Sequence, residues 1–429
     1  MSADASEVRL VVTSLARPRI CVPMRARSID EQHRGASQLE LLFDLTFVIA
    51  VAGVTEQLAR HLAEGDFAGG LAPFLQVFFA IWWAWMNFTW FASSYDTDDV
   101  PYRLLTLLQM AGVLVLAAGV RRAVVDDDYL AVTVGYLVMR IGLVALWLRA
   151  GHEDPERGST ARRYAIGISI AEVGWLVRLA LDEAGLLPPG WSRPIFVALV
   201  VAELAVPRWA ERKLPTTWHP HHMAERYGLF TIILLGESLV ATSSGVDAVL
   251  REGRVSVDLV ATALAGLVLL FALWWLYFLG PFGEGLANRR DRSFLWGYGH
   301  YGIFAALAAL GAGLHVAVEH AGHTIPTSPF VAAYAVAVPV SVFLATLSVL
   351  HAGCLSRRVI RPGVTLGAAL LVLWVPLAAS VTSPAVAVAA IATVCAAAVT
   401  AALLEHRRAG TVGRIARDRS RHLTRKDQP

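Results

Sequence analysis

The sequence is short of charge. Asp, Glu, Lys and Arg make up 17% of its 429 residues, against about 25% in soluble domains. No polar stretch is long enough to house a large soluble catalytic domain. No G-x-x-x-x-G-K-[ST] loop occurs either, which argues against a nucleotide-driven pump. Cys21, Cys354 and Cys395 are too scattered for a disulfide framework. The first 35 residues are polar, Arg-rich and Pro-containing, without the apolar core of a signal peptide. They are expected to be disordered, with Met24 as an alternative start.

What the sequence has is apolar length. Hydrophobic residues reach 56% and mean hydropathy is +0.54. A bilayer-crossing helix needs roughly 20 such residues. Twelve runs qualify, at about 39–60, 71–92, 100–120, 129–149, 163–186, 194–210, 225–246, 256–279, 295–316, 328–350, 363–381 and 384–404. They are too long for barrel strands and show no dyad alternation. The expected fold is therefore all-α and polytopic. A Ser-Val-Thr-Ser turn separates the last two spans. With the N-terminus inside, 29 of the 37 Lys and Arg fall on cytoplasmic segments and 6 outside, while Arg140 and Arg178 lie within spans. This satisfies the positive-inside rule and predicts a plasma-membrane protein with both termini cytoplasmic. The basic C-terminal tail reads as facing anionic lipid, not nucleic acid.

The chain also matches itself. Asp44 and Glu56 repeat as Glu225 and Glu237 at an offset of 181. Trp82-Trp83 repeat as Trp274-Trp275 at 192, and Asp98 as Asp291 at 193. An insertion of about eleven residues after the seventh span reconciles the offsets. Six spans is an even number, so two parallel six-helix repeats are expected. The layout is then an N-terminal tail (1–38), a first half (39–210), a second half (211–404) and a basic C-terminal tail (405–429).

Four segments resemble the bacterial low temperature requirement protein A family. They are LELLFDLTFV at 39–48, WWAWMNFTWFASSYDTDD at 82–99, HPHHMAERYGLFTIILLGE at 219–237 and WWLYF at 274–278. The likeness runs from about residue 37 to 280 and more weakly to about 405. His221 departs from the pattern, where an acidic or polar residue is more usual. The resemblance implies a multi-span inner-membrane protein and brings no established reaction, substrate or catalytic residue.

Ionisable residues at membrane depth are functional candidates by default, because each costs about 2.5–3.5 kcal/mol at the bilayer centre on insertion scales. Glu56, Glu237, Arg140, Glu172, Arg178 and Glu203 are the deepest. Equal depth allows Glu237 to pair with Arg140, and Arg178 with Glu203. Duplicated carboxylates at Glu56 and Glu237 suit proton or cation coupling; the alternative is ion pairs that only join helices. A second set gathers at the cytoplasmic face: Glu40, Asp44, Asp96, Asp98, Asp99, His219, His222, Glu225 and Asp291. Asp96 and Asp98 could hold Mg²⁺, and His222 with Glu225 a transition metal. Otherwise Asp98 or Asp99 is the N-cap before Pro101, Glu225 a first-turn acid and Arg226 an interfacial anchor. Trp82, Trp83, Trp274 and Trp275 either pack or line a pathway.

Three functions compete. A secondary transporter or permeation pathway for a small solute or lipid draws on the intramembrane carboxylates. A metal-dependent enzyme acting on a lipid or isoprenoid phosphate draws on the acid and histidine ring. A structural or assembly factor would use the charges for packing. The transporter fits best and an enzyme is less expected; a divalent metal is the one cofactor the residues admit. The chain carries no oligomeric signal.

Overall fold

The structure, a computed structural model, describes residues 20–29, 31, 34–251, 253, 256–355, 360–378 and 383–426. Among these residues every regular element is helical. The first six helices are α1 (Gln38–Glu64), α2 (Phe67–Tyr95), α3 (Val100–Val125), α4 (Leu130–Glu153), α5 (Gly158–Glu183) and α6 (Ser192–Ala210). Then come α7 (Pro220–Arg251), α8 (Val257–Phe278), the short α9 (Phe282–Asn288), α10 (Ser293–Ala321), α11 (Pro329–Cys354), α12 (Pro362–Trp374) and α13 (Pro384–Lys426). Helix starts follow side-chain chemistry: Ser37, Asp66, Asp99, Ser256 and Ser328 each accept a backbone N–H of the first turn.

Ten helices among the described residues are long and apolar enough to cross a membrane, so the chain is a multi-pass helical protein. They account for ten of the twelve expected spans. The other two are marginal for physical reasons. α6 carries Arg193, Glu203 and Arg208 within 19 residues, and α12 ends after 13 residues in the 3-10 turn containing Pro376. Of the Ser-Val-Thr-Ser turn expected between the last two spans, 380–382 lie outside the described residues and Ser383 directly precedes α13. Large apolar side chains such as Leu45, Ile49, Phe271 and Leu370 point outward. In water such a surface would be costly; in a bilayer it is solvated.

α10 is the central helix, packed against α1, α2, α7, α8, α11 and α13. Close approaches are made at glycine. A Cβ on Gly135 of α4 would stand 2.4 Å from the Leu116 backbone of α3, and one on Gly313 of α10 would stand 2.0 Å from the Ala335 carbonyl of α11. Small residues let membrane helices meet backbone to backbone.

Alternation of the helices brings the 96–99, 154–157 and 211–219 loops to one end of the bundle, tied by Arg149 to Asp99 and by Thr160 to the Leu214 carbonyl. An extended strap crosses this end. The N–H of Val22 donates to Asp99 (2.9 Å), that of Met24 to Glu153 (2.5 Å), that of Ala26 to Asp154 (3.2 Å) and that of Arg27 to the Ser94 carbonyl (2.9 Å). The Met24 side chain is wholly buried. Disorder, expected for the whole N-terminal tail, therefore does not describe residues 20–29; residues 1–19 lie outside the described set.

Helices pair as α1–α3, α3–α4, α4–α5 and α5–α6, and again as α7–α10, α10–α11, α11–α12 and α12–α13, although the close α8–α13 packing has no comparable α2–α6 counterpart. The sequence offset of 181 does not fit the packing, since it sets buried Asp44 against exposed Glu225. The buried faces of α1 and α7 coincide at 183, which aligns Phe47 with Phe230, Val51 with Leu234, Gly53 with Gly236 and Thr55 with Ser238. Two residues turn a helix by about 200°, so Glu56 and Glu237 are not equivalent positions.

Candidate functional site

The capping residue of α1 begins the site. Ser37 and Glu40 form a reciprocal box in which the Ser37 N–H donates to Glu40 Oε2 (2.8 Å) and the Glu40 N–H to Ser37 Oγ (3.3 Å). Asp44 lies one turn on, on the same face. Opposite them, His222 and Arg226 are one turn apart on α7. The Arg226 guanidinium, with no exposed surface, forks onto Asp44 through Nε (3.0 Å) and one terminal nitrogen (2.6 Å), and its other terminal nitrogen reaches Glu40 Oε1 (2.7 Å). A planar fork of this kind is specific to arginine. His222 spans Glu40 (3.2 Å) and Ser93 Oγ of α2 (3.1 Å), and Trp85 Nε1 donates to Asp44 (2.7 Å). Trp85 also stacks on Phe230 at 4.3 Å and meets Tyr227 edge-on at 4.9 Å. Charge and aromatic layers together close the α1–α7 interface at the strap end.

The strap bears on the same end. Arg34 donates to the carbonyls of Ala92 (2.7 Å) and Ser93 (2.5 Å), and Arg27 stands 3.5 Å from Asp96. Burial pushes the Asp96 carboxyl up to about 6, helped by the Glu40 carboxylate against the pull of Arg34 and Arg27. Burial also acts on Asp99, but bonds from Arg149 and from the Val22 and Tyr102 N–H groups outweigh it and hold that carboxyl at about 2. Asp99 is thus the N-cap of α3. Burial and His221 hold His219 below its ordinary value.

At the other end, α1, α7 and α10 separate around a cavity of about 730 Å³. Glu56, Arg60, Glu64, Glu237, His315 and Glu319 are its charged and titratable lining. Glu237 is the deepest, at the middle of α7. Glu56 is exposed and bonded to Arg60. His315 lies between the Ala241 carbonyl (3.0 Å) and Glu319 (3.4 Å).

A family model described as bacterial low temperature requirement A protein matches residues 35–401. The chain belongs to this family. An uncharacterized protein of Rhizobium meliloti (strain 1021) is 28% identical over 304 residues, covering 66% of this chain and 70% of the relative. No solved structure matches. The family region contains the Arg226 cluster and the cavity; the strap residues 20–29 precede it.

Within the family region the expected residues separate. Glu40, Asp44 and His222 meet, but around Arg226, which is a buried centre and not an interfacial anchor. Glu225 is exposed, Asp98 faces solvent paired with Arg103 (2.7 Å), and Asp291 pairs with Arg292 (3.4 Å). The four suggested metal ligands, Asp96, Asp98, His222 and Glu225, are not brought together. Among the described residues no group of three or more His, Cys, Asp or Glu is placed to hold a metal. Arg140 pairs with Glu203 (3.1 Å), not with Glu237. Arg178 takes Ser192 Oγ (2.8 Å) instead of Glu203, and stacks over Tyr129 and Phe196. Glu203 also accepts from Trp83 (2.8 Å), Tyr136 (3.0 Å) and Trp175 (3.2 Å). Trp82 is buried beside Tyr301, while Trp274 and Trp275 are half exposed on the outer face of α8 and line no interior pathway. Sequence reasoning missed Arg226 because an arginine in a first helical turn commonly snorkels to the interface. Its spacing from His222, matching that of Glu40 and Asp44, was the available signal.

Proposed function

We propose that the protein is a secondary transporter working by alternating access, with the strap end cytoplasmic, in the inner membrane. The carrying observation is the asymmetry of the α1–α7 interface. One end opens into a carboxylate-lined cavity reaching Glu237, and the other is sealed by Arg226, Glu40, Asp44 and the Trp85 layer. Such a state is open outward and closed inward. The similar helix order supports two six-helix halves related about the membrane normal, with twelve spans and both termini inside. The cavity volume and its acids and histidine suit a small polar or cationic solute. In this scheme Glu237 is the coupling residue that meets the solute or its co-ion, and Arg226 releases one carboxylate as the strap end opens. The enzyme reading has less behind it, because Asp96, Asp98, His222 and Glu225 are not brought together among the described residues.

The test uses proteoliposomes loaded with a pH-sensitive dye and challenged with a panel of amines, organic cations and polyamines. Wild type should move protons in response to at least one solute, and Glu237→Gln should abolish the response while retaining its elution profile. A panel without response in wild type, or full response in Glu237→Gln, overturns the proposal.

A further inference from the structure

The first half holds a second buried charge cluster with an imbalance. Glu203 is saturated: four donors from α2, α4 and α5 converge on it, Arg140 among them. One carboxylate thereby neutralises the one guanidinium. Glu172, a turn before Trp175 on the same face of α5, is a second carboxylate in the same field, with Arg140 and Glu203 as its charged neighbours. Only 5% of it is exposed, and neither carboxylate oxygen has a hydrogen-bond partner. The Arg140 Nε and one terminal nitrogen are likewise buried and unpartnered.

An isolated ionised carboxylate in such a place carries a desolvation cost that native structures do not leave uncompensated. Buried polar groups without partners mark a ligand, ion or water. A cavity of about 40 Å³ between Tyr129, Tyr136, Trp175, Arg178 and Phe196 shares Tyr136 and Trp175 with the cluster. Arg178, its Nε unpartnered, stands in an otherwise mostly apolar wall.

We infer that Glu172 is a binding site for a compact monovalent cation, a proton or a sodium ion, held beside the Arg140–Glu203 pair. The occupant restores neutrality to Arg140, Glu203 and Glu172. The charged and titratable groups in its field are Tyr136 and Arg140 of α4 and Glu203 of α6. Arg140 disfavours a divalent cation beside it. The site is separate from the Glu56–Glu237 cavity and stands whether or not a solute moves there.

The experiment compares wild type with Glu172→Gln in detergent or nanodiscs. One arm records the melting temperature in sodium against choline at fixed pH; the other records infrared difference spectra across pH in choline alone. A sodium-specific rise in melting temperature, absent in Glu172→Gln, identifies sodium. A protonated-carboxyl carbonyl band that vanishes in Glu172→Gln identifies a proton. If neither signal is present in wild type, or if either persists unchanged in Glu172→Gln, the inference fails. Should that variant not fold, Glu172→Asp serves instead, and an unshifted signal overturns the inference.

Discussion

Replacing Arg226 with methionine keeps most of the side-chain volume and removes the charge between Glu40 and Asp44. Both carboxylates, each about 1% exposed, then lose their guanidinium, leaving Glu40 with His222 and the Ser37 N–H and Asp44 with the Trp85 N–H. Three ionic contacts of 2.6–3.0 Å are lost. At an effective dielectric near 20, two unit charges 4 Å apart attract by about 4 kcal/mol. Breaking a buried pair by removing one partner costs about 3–5 kcal/mol, most of it from the stranded charge. Arg226→Met should therefore lower stability by about 3–5 kcal/mol. Asp44→Asn should cost less, since Trp85 Nε1 and the Arg226 fork keep an oxygen to bind. The double variant Arg226→Met/Asp44→Leu should recover part of the loss, with a coupling above about 0.5 kcal/mol, the limit within which independent sites add. The assay is reversible unfolding in mixed micelles of increasing SDS, at low and high salt. Salt should leave the effect unchanged, because buried pairs are poorly screened. A fully additive cycle, or an Arg226→Met variant as stable as wild type, would show that the cluster does not hold α1 to α7.

The other predictions concern the strap, the Glu203 hub and the outer tryptophans. Asp96 has its carboxyl raised from 3.8 to about 6 in the folded protein, so between those values the native state holds more proton than the unfolded chain. Stability should then rise as pH falls through about 6, and the melting-temperature profile of Asp96→Asn should lack that rise; parallel profiles would refute the assignment. Asp99→Ala removes the acceptor of the Val22 N–H and of Arg149, so trypsin should cut faster after Arg25 and Arg27, and an unchanged cleavage rate would count against strap docking. Glu203→Ala strands four buried donors and should cost at least about 3 kcal/mol, whereas Trp275→Ala on the outer face of α8 should fall within about 1 kcal/mol of wild type. The same SDS titration ranks the two, and an inverted order would refute the placement.

Most of the fold was legible because apolar length is a one-dimensional signal. Ten spans, their alternation and the side gathering Asp96–Asp99 with His219 follow from hydropathy alone. Helix phase was less legible. Matching carboxylates at 181 weighted rare, conspicuous residues above the common ones that pack, and the two-residue slip set Glu225 against Asp44 where the packing register sets Tyr227. Partner choice was least legible: depth allowed Arg140 to meet Glu237 or Glu203, and only the azimuth of each helix decides. Glu203 wins because Tyr136, Trp83 and Trp175 converge on it. Trp82-Trp83 and Trp274-Trp275 teach the same lesson, being alike in sequence and opposite in exposure.

The distribution of polar contacts along α1 and α7 bears on how such an interface could move. At the strap end the two helices are joined by ionic contacts, with directional forks that favour one geometry. Toward the other end the direct ties become sparse: Thr55 and Ser238, aligned at 183, each bond to a carbonyl of α10, Ala308 and Leu307, instead of to one another. α10 therefore acts as a spacer between α1 and α7 beside the cavity, while the strap end is a clasp. Opening the clasp would require Arg226 to leave Asp44 or Glu40, and an incoming proton or cation on either acid lowers that barrier by removing a charge it must otherwise abandon. Movement at the clasp and ion occupancy are then one equilibrium, and a ligand shifts it only by its differential affinity for the two states. Arg226→Met should accordingly raise labelling of a cysteine placed at Thr89, beneath the clasp, by an impermeant thiol reagent added from the strap side in a background lacking Cys21, Cys354 and Cys395. Unaltered labelling in a folded Arg226→Met protein would separate the charge cluster from any gate.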